Sequence, residues 1–321
     1  MKVTIFTHNT SKQYFKALYY LERQGAITVE LLDNVHSITK PHKFFQTDVL
    51  IPFYGPYYPQ IEVAQIAKKF GIKNIFMNSW EKWQEGEYVK YYCPKWIWYN
   101  YLKDVECVSV SKKASNDIEP YVAKSYHIPH AIDTALFKPL NVEKQDDTIN
   151  ILFVGYLEKY KGIDKVLFAA KRLENENITF HFAGTGSYKD AIKKEKNCVY
   201  HGFIKEQKEL VKLYNQCDIL VQPSEFEKFG ITMIEAMSCK LPIISTSTTG
   251  AQEIFDDEKG GIIMDPTNDE EILVEKLIEN IRYLSESENV RKRIGEDGRK
   301  KVLSRYDVTA SAQKWAKILK G

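Results

Sequence analysis

The residues best suited to act together lie in one window, SEFEKFGITMIEAMSCKLPIISTSTTGAQEIF, residues 224–255. The short apolar run DILVQPS leads into it, Gly230 makes a tight turn, and ITMIEAMS then reads as a helix. At such a helix start the main-chain N–H groups of Phe229, Gly230, Ile231 and Thr232 would point outward, where the helix dipole also favours an anion. With no Cβ at Gly230, a group the size of a phosphate can approach the backbone closely. Two glutamates flank the turn: Glu227 in the loop before it, and Glu235 one turn into the helix, eight residues later. By spacing alone the first reads as a partner of the helix dipole and the second as a solvated side chain. A second candidate lies in NILFVGYLEKYKGIDKVLFAAKRL, residues 150–173, where Lys161 and Gly162 occupy a loop between a strand and a helix. The Lys161 ammonium and the Gly230 helix start would present two positive elements to one anion.

Such loops need strands behind them. In the first half, VTIF (3–6), ITVELL (27–32), DVLIPF (48–53), NIFMN (74–78) and CVSVS (107–111) are short β-branched or apolar runs that read as strands. YFKALYYLERQG and YPQIEVAQIAKKFG, between them, space apolar residues at three and four and end on glycine, as helices do. The stretch FKPLNVEKQDDTIN (137–150) breaks this alternation with proline and charge and reads as a linker. Beyond it NILFVGY, ITFHFAG, VYHGF, DILVQPS, LPIISTS and GGIIMD restart it, and DEEILVEKLIENIRYL and SAQKWAKILKG read as amphipathic helices. Strands alternating with helices specify parallel α/β architecture. The expectation is two Rossmann-like domains facing across a cleft, 1–140 and 141–305, with ligands at the carboxyl ends of the strands. The last segment, 306–321, is expected to pack back on the first domain.

Composition narrows the classes. At 321 residues, 44% hydrophobic and 27% charged, the chain has enough material for two ordinary soluble domains and their cores. A net charge of +2 argues against bulk nucleic-acid binding. Cys93, Cys107, Cys198, Cys217 and Cys239 are scattered, with no C-x-x-C pair, and read as reduced core thiols. His8, His36, His42 and His127 show no ligand spacing, so no metal site is expected. The opening residues are too short an apolar run for a signal peptide, and no run approaches a transmembrane helix, which places the expected location in the cytoplasm.

The 224–255 window resembles the signature of the retaining glycosyltransferases of family 4, the "group 1" transferases: a glutamate, seven residues, and a second glutamate, with E-x-F-G at the start. Glu227, Phe229, Gly230 and Glu235 stand at the matching places, and EAMSCKLPII follows as the family's helix, Leu-Pro and strand do. The resemblance implies the GT-B fold and a nucleotide-diphosphate sugar as donor. It also implies transfer to a glycan, lipid or other hydroxyl acceptor, with retention at the anomeric carbon. The 150–173 segment is similar to the family's G-R-L-x-x-x-K-G, whose arginine and lysine neutralise the donor diphosphate; Lys161 and Gly162 match, and Tyr156 replaces the arginine. On this likeness Lys161 and Glu227 are the catalytic candidates, Glu235 meets the ribose hydroxyls, and main chain at Gly202, Phe203 and Ile204 meets the base. HFAGTGSY, with Gly184 and Gly186, also falls at a family nucleotide contact, although a plain tight turn reads equally well. The family's usual independence of metals agrees with the absence of a D-x-D motif, and no cofactor beyond the donor is implied.

Other positions depart from the pattern. SYHIPHAIDTALFKP (125–139) has His130 and Ala131 where the family shows Asn and Gly, and THNTSK (7–12) replaces its glycine-rich first loop. The histidine that the family carries after the fourth strand is missing, which leaves Asn78, Trp80 or Glu81 for its place. The charge lost at Tyr156 must come from Lys159 or elsewhere, or diphosphate binding is weaker. Trp80, Trp83, Trp96 and Trp98 crowd with Tyr54, Tyr57, Tyr58, Tyr88, Tyr91, Tyr92, Tyr99 and Tyr101. They read equally as core and as an acceptor or peripheral membrane surface, KYYCPKWIWYNYLK suiting an interfacial element. A sugar-nucleotide 2-epimerase and a non-catalytic nucleotide- or carbohydrate-binding relative are the other classes the same cradle would serve.

Overall fold

The computed structural model describes residues 1–6, 15–32, 46–52, 58–78, 100–142, 147–257, 259–265, 267 and 269–321, side chains 58–63 excepted. The chain divides into two compact units, Met1–Ala131 with Val308–Gly321, and Ile132–Asp307.

The first unit is a six-stranded sheet in the order β2-β1-β3-β4-β5-β6, every pairing parallel. Its strands are β1 (Lys2–Phe6), β2 (Thr28–Leu32), β3 (Val49–Pro52), β4 (Lys73–Asn78), β5 (Glu106–Ser109) and β6 (Lys124–His127). The described helices are α1 (Lys16–Arg23), α2 (Tyr58–Lys69) and α3 (Lys112–Ile118), with α11 (Val308–Lys320) returning from the end of the chain. Alternate strand residues feed two cores, as a sheet buried on both faces requires. Val3, Ile5, Ile51, Ile75 and Val108 pack with Leu18 and Leu21 of α1 and with Trp315 and Ile318 of α11. Leu50, Phe76 and Cys107 pack on the other face with Ala64 and Ala67.

The second unit has six parallel strands in the order β12-β11-β10-β7-β8-β9. They are β7 (Ile149–Val154), β8 (Ile178–Ala183), β9 (Cys198–Gly202), β10 (Ile219–Gln222), β11 (Ile243–Thr246) and β12 (Gly261–Met264). The helices are α4 (Ile163–Arg172), α5 (Lys189–Ile192), α6 (Gln207–Gln216), α7 (Ile231–Ser238), α8 (Thr249–Ile254), α9 (Glu270–Glu286) and α10 (Glu288–Arg305). Within β7, Leu152 and Val154 join the core under α6 and α7, and Ile151 and Phe153 join the one under α4 and α9. That alternation is why a strand of nearly continuous apolar residues forms here.

The division differs from the expected boundary at 140/141. Residues 132–140 belong to the second unit, because Phe137 is fully buried in its core and its carbonyl accepts bonds from Ser238 and Arg299. The polar average of 137–150 hid this anchor. Within the same unit Ile132 N donates to Tyr306 O and Thr134 Oγ1 to Asp307, so the segments that enter and leave it run side by side. Strand β6 was absent from the sequence reading; KSYH is short, polar and only partly buried.

Candidate functional site

In the second sheet the chain order reverses between β7 and β10, which are neighbours. At such a reversal the loops leaving the two carboxyl ends diverge and open a crevice for a ligand. The two motifs of the sequence are the loops at this point. After β7 the chain runs through residues 155–158, a 3₁₀ turn (Lys159–Lys161), and Gly162, which starts α4 in the left-handed region at φ 75°. After β10 it runs through Pro223–Phe229 to Gly230, which starts α7 at φ 89°. A Cβ at Gly162 would stand 2.0 Å from the Pro223 carbonyl oxygen, so the glycine is what lets the loops touch. Glu225 N donates to Tyr160 O at 2.9 Å and holds them together.

The contact brings Lys161 and Glu227 into an ion pair, Nζ to Oε2 at 2.5 Å, with side chains 15% and 18% exposed. The two residues are 66 apart in sequence. Gly230, at the N-cap of α7, has no side chain with which to cap it, which leaves a helix start suited to an anion beside an ammonium. Phe229 is buried edge-on against Tyr306 at 5.7 Å, fixing the loop from beneath. Thr232 donates to Gln222 Oε1, so its hydroxyl serves the β10–α7 junction. Ile231 is half-buried against the core.

Glu235 is 6% exposed rather than solvated, and Tyr214 of α6 donates to its Oε2 at 3.2 Å. Spacing failed there because α7 is enclosed on nearly all sides; six of its eight residues are buried.

The loops after β7 and β8 are locked together. A Cβ on Gly184 would sit 1.8 Å from the Gly155 carbonyl oxygen, and one on Gly186 would sit 2.3 Å from that of Leu157. Glu158 accepts from the backbone N–H and hydroxyl of Ser187, which hold its carboxyl below the usual range. The G-x-G therefore serves close main-chain approach. Gly184 N donates to Gly202 O, bringing the carboxyl end of β9 into the same layer; beyond it Phe203 is 72% exposed and Ile204 packs on the core. Tyr156 is 64% exposed on the β7 loop.

Lys159 is engaged elsewhere: it reaches Glu270 of α9 at 3.5 Å, and the charge of that carboxylate raises its pKa. Lys165, which the sequence reading passed over, is 4% exposed and ringed by Glu225 at 3.3 Å, Asp164 at 3.7 Å and Glu270 at 3.8 Å. Its place between Ile163 and Val166 on the apolar stripe of α4 was the signal available. Lys165, Glu225 and Glu270 border a cavity of about 600 Å³, also lined by Ser224, Thr246 and Thr248, which does not include Lys161 or Glu227.

Asn78 is the one described candidate for the missing histidine's place. It is fully buried at the end of β4, and its amide donates to Ser109 Oγ and Ala114 O within the first unit. Trp80, Glu81, His8, His36, His42, the 7–12 loop and most of the aromatic segment fall outside the described residues. Among the described residues no helix is long and apolar enough to cross a membrane.

A family model for glycosyl transferases group 1 matches residues 137–301, which is nearly the whole second unit. The chain belongs to that family. It is 37% identical over 136 residues to an uncharacterized glycosyltransferase of Methanocaldococcus jannaschii, 40% of this chain and 35% of the relative. Matches at 37%, 34% and 32% identity span 35%, 34% and 41% of the relatives' own lengths, so the chain covers well under two thirds of each. Among solved structures, sucrose-phosphate synthase from Thermosynechococcus elongatus superposes at TM-score 0.78 with 15% identity, covering 100% of this chain and 98% of that one. Anabaena HepE in complex with UDP and glucose superposes at 0.72 with 15% identity, covering 100% of both chains. The fold, two six-stranded parallel sheets, is that of the GT-B glycosyltransferases.

Proposed function

We propose that the chain transfers a sugar from a nucleotide-diphosphate sugar to a hydroxyl acceptor, retaining the configuration at the anomeric carbon. The observation that carries this reading is the Lys161–Glu227 pair at the reversal of the second sheet, beside the uncapped start of α7. When the bond from the anomeric carbon to the diphosphate breaks, negative charge grows on the leaving oxygen and positive charge on the sugar ring. Lys161 and the N–H groups beyond Gly230 meet the first; one well-placed donor in a dry site is worth about 3–4 kcal/mol. Glu227 meets the sugar hydroxyls and the positive ring, Glu235 the ribose, and main chain at Gly202–Ile204 the base. The acceptor hydroxyl enters from the face the phosphate leaves, its oxygen bonding the anomeric carbon while its proton passes to the departing diphosphate oxygen, which gives retention.

Without donor the ammonium and carboxylate satisfy each other. An arriving diphosphate replaces Glu227 on Lys161 and frees the carboxylate for the sugar. Binding and readiness for transfer are thereby linked, at the cost of an ion pair that most of the solvent does not reach. UDP-glucose, with which Anabaena HepE is solved in complex, heads the donor panel, with other UDP-, GDP- and ADP-sugars beside it. A bound donor raises the melting temperature through RT ln(1 + [L]/Kd), and turnover releases nucleoside diphosphate. A panel in which no donor stabilises the protein and none is cleaved would sink the reading.

A further inference from the structure

Two polar side chains meet deep in the core of the second unit. Tyr214 is fully buried on α6, Glu235 is 6% exposed on α7, and the phenol donates to the carboxyl at 3.2 Å. Phe137 packs edge-on against the tyrosine ring at 6.3 Å, and Met233, Ile234 and Met237 belong to the same cluster. A carboxyl in such surroundings is costly, and a leucine would fill the space without that cost. Burial, and next the charge of Glu235, push the Tyr214 hydroxyl well above its ordinary range, so it stays a donor at any working pH. Its proton fixes one carboxyl oxygen, and with it the plane of the group.

The two helices connect this pair to the site. α6 begins at Gln207, three residues after Ile204, and α7 begins at Ile231, directly after the Gly230 turn. The geometry points to Tyr214 as a positioning residue: its hydroxyl sets the Glu235 carboxyl to receive the ribose hydroxyls of a nucleoside diphosphate. This rests on the donor reading above. Sugar discrimination in the nucleotide then depends on a residue that touches no ligand.

Calorimetry of UDP against 2′-deoxy-UDP, and of GDP against 2′-deoxy-GDP, on the wild-type chain and on Tyr214→Phe tests it. Wild type should prefer the ribose form by about 10-fold, and Tyr214→Phe should bring that ratio below about 3-fold. In turnover the variant should raise the donor KM and leave kcat within about 3-fold, because Glu235 binds and does not react. Glu235→Gln should lose the same preference, and the double variant should lose no more than either single one. Tyr214→Met, a flexible filler without the hydroxyl, replaces Tyr214→Phe should the latter melt below the assay temperature. Equal weakening of ribose and deoxyribose forms in a folded variant would show a packing role only and overturn the inference. A wild type indifferent to the 2′-hydroxyl overturns it while leaving the transferase standing; a wild type that binds no nucleoside diphosphate overturns both.

Discussion

The two six-stranded sheets are wound on different plans. The first, β2-β1-β3-β4-β5-β6, reverses after a single strand, and the second, β12-β11-β10-β7-β8-β9, reverses at its centre. Each has apolar cores on both faces. They part company at the carboxyl ends of the strands. In the first unit β1, β3, β4 and β5 end in Phe6, Pro52, Asn78 and Ser109, none of them charged, and Asn78 is bonded to Ser109. In the second, the loops after β7 and β10 touch where Gly162 meets Pro223, and they hold a largely buried ammonium and carboxylate in contact. The family match, 137–301, lies wholly within the second unit and includes no residue of the first. Among the described residues, then, the compared strand ends of the first unit are uncharged and those of the second lead to a charged pair. Substitutions in the two units should differ in kind as well as in size.

The largest effect is expected at Glu227. Glu227→Gln keeps shape and removes charge, and transfer should fall by roughly 10²-fold or more. The same change leaves Lys161 without its carboxylate, so affinity for nucleoside diphosphate should hold or rise while turnover collapses. Steady-state kinetics with calorimetry on one preparation reads both. Near-wild-type turnover would remove Glu227 from the chemistry, and weaker diphosphate binding would mean the pair does not compete with the ligand.

Lys161→Ala comes next. A charge-assisted contact of about 1.5–3 kcal/mol corresponds to a loss of about 10- to 100-fold in diphosphate affinity. Uridine or guanosine carries no phosphate and should bind as before. Equal losses for nucleoside and nucleoside diphosphate would indicate damage to the fold; no loss for either would place the lysine outside the site.

Asn78→Ala tests the other half of the comparison. Its amide is fully buried and bonded to Ser109 and Ala114 O, so truncation should cost about 1–3 kcal/mol of stability by leaving partners unsatisfied. Diphosphate affinity should stay within about 2-fold, since no group of the cradle is touched. A changed affinity at unchanged stability would make the first unit's strand ends part of nucleotide binding and break the contrast.

How legible this was depended on the residues. Buried parallel strands are apolar runs of a few residues, so eleven of the twelve described strands were placeable to within a residue or two; β6 and the early entry of Phe137 into the second core were hidden by polar neighbours. Lys161, Gly162, Glu227 and Gly230 stood out through the resemblance of their two windows to the group 1 motifs, since by spacing alone Glu227 reads only as a partner of the helix dipole. That Lys161 and Glu227 touch was not legible, because contact across 66 residues depends on β10 lying beside β7. Tyr214 and Lys165 lie on amphipathic helices, where a ring reads as core and a lysine as surface. One ring carries a buried donor and the lysine is enclosed, which helix periodicity does not report.

The smallest effect is expected at Tyr156, where the family pattern has an arginine. The ring is 64% exposed on the loop after β7, five residues before Lys161. A phenol donates one hydrogen bond and carries no positive charge, whereas a guanidinium pairs with phosphate through a rigid fork. Lys159 lies 3.5 Å from Glu270 in an exposed pair, which is a weak contact. Tyr156→Arg should therefore tighten nucleoside diphosphate binding, by about 10-fold at most once solvent screening is allowed for. The gain should shrink between low and high salt, as an exposed charge pair does, while affinity for the bare nucleoside stays constant. Stability should hardly move, because nothing buried is replaced. Unchanged diphosphate affinity across that salt series would show that this side chain does not face the phosphates. The cradle would then rest on Lys161 and the α7 start alone.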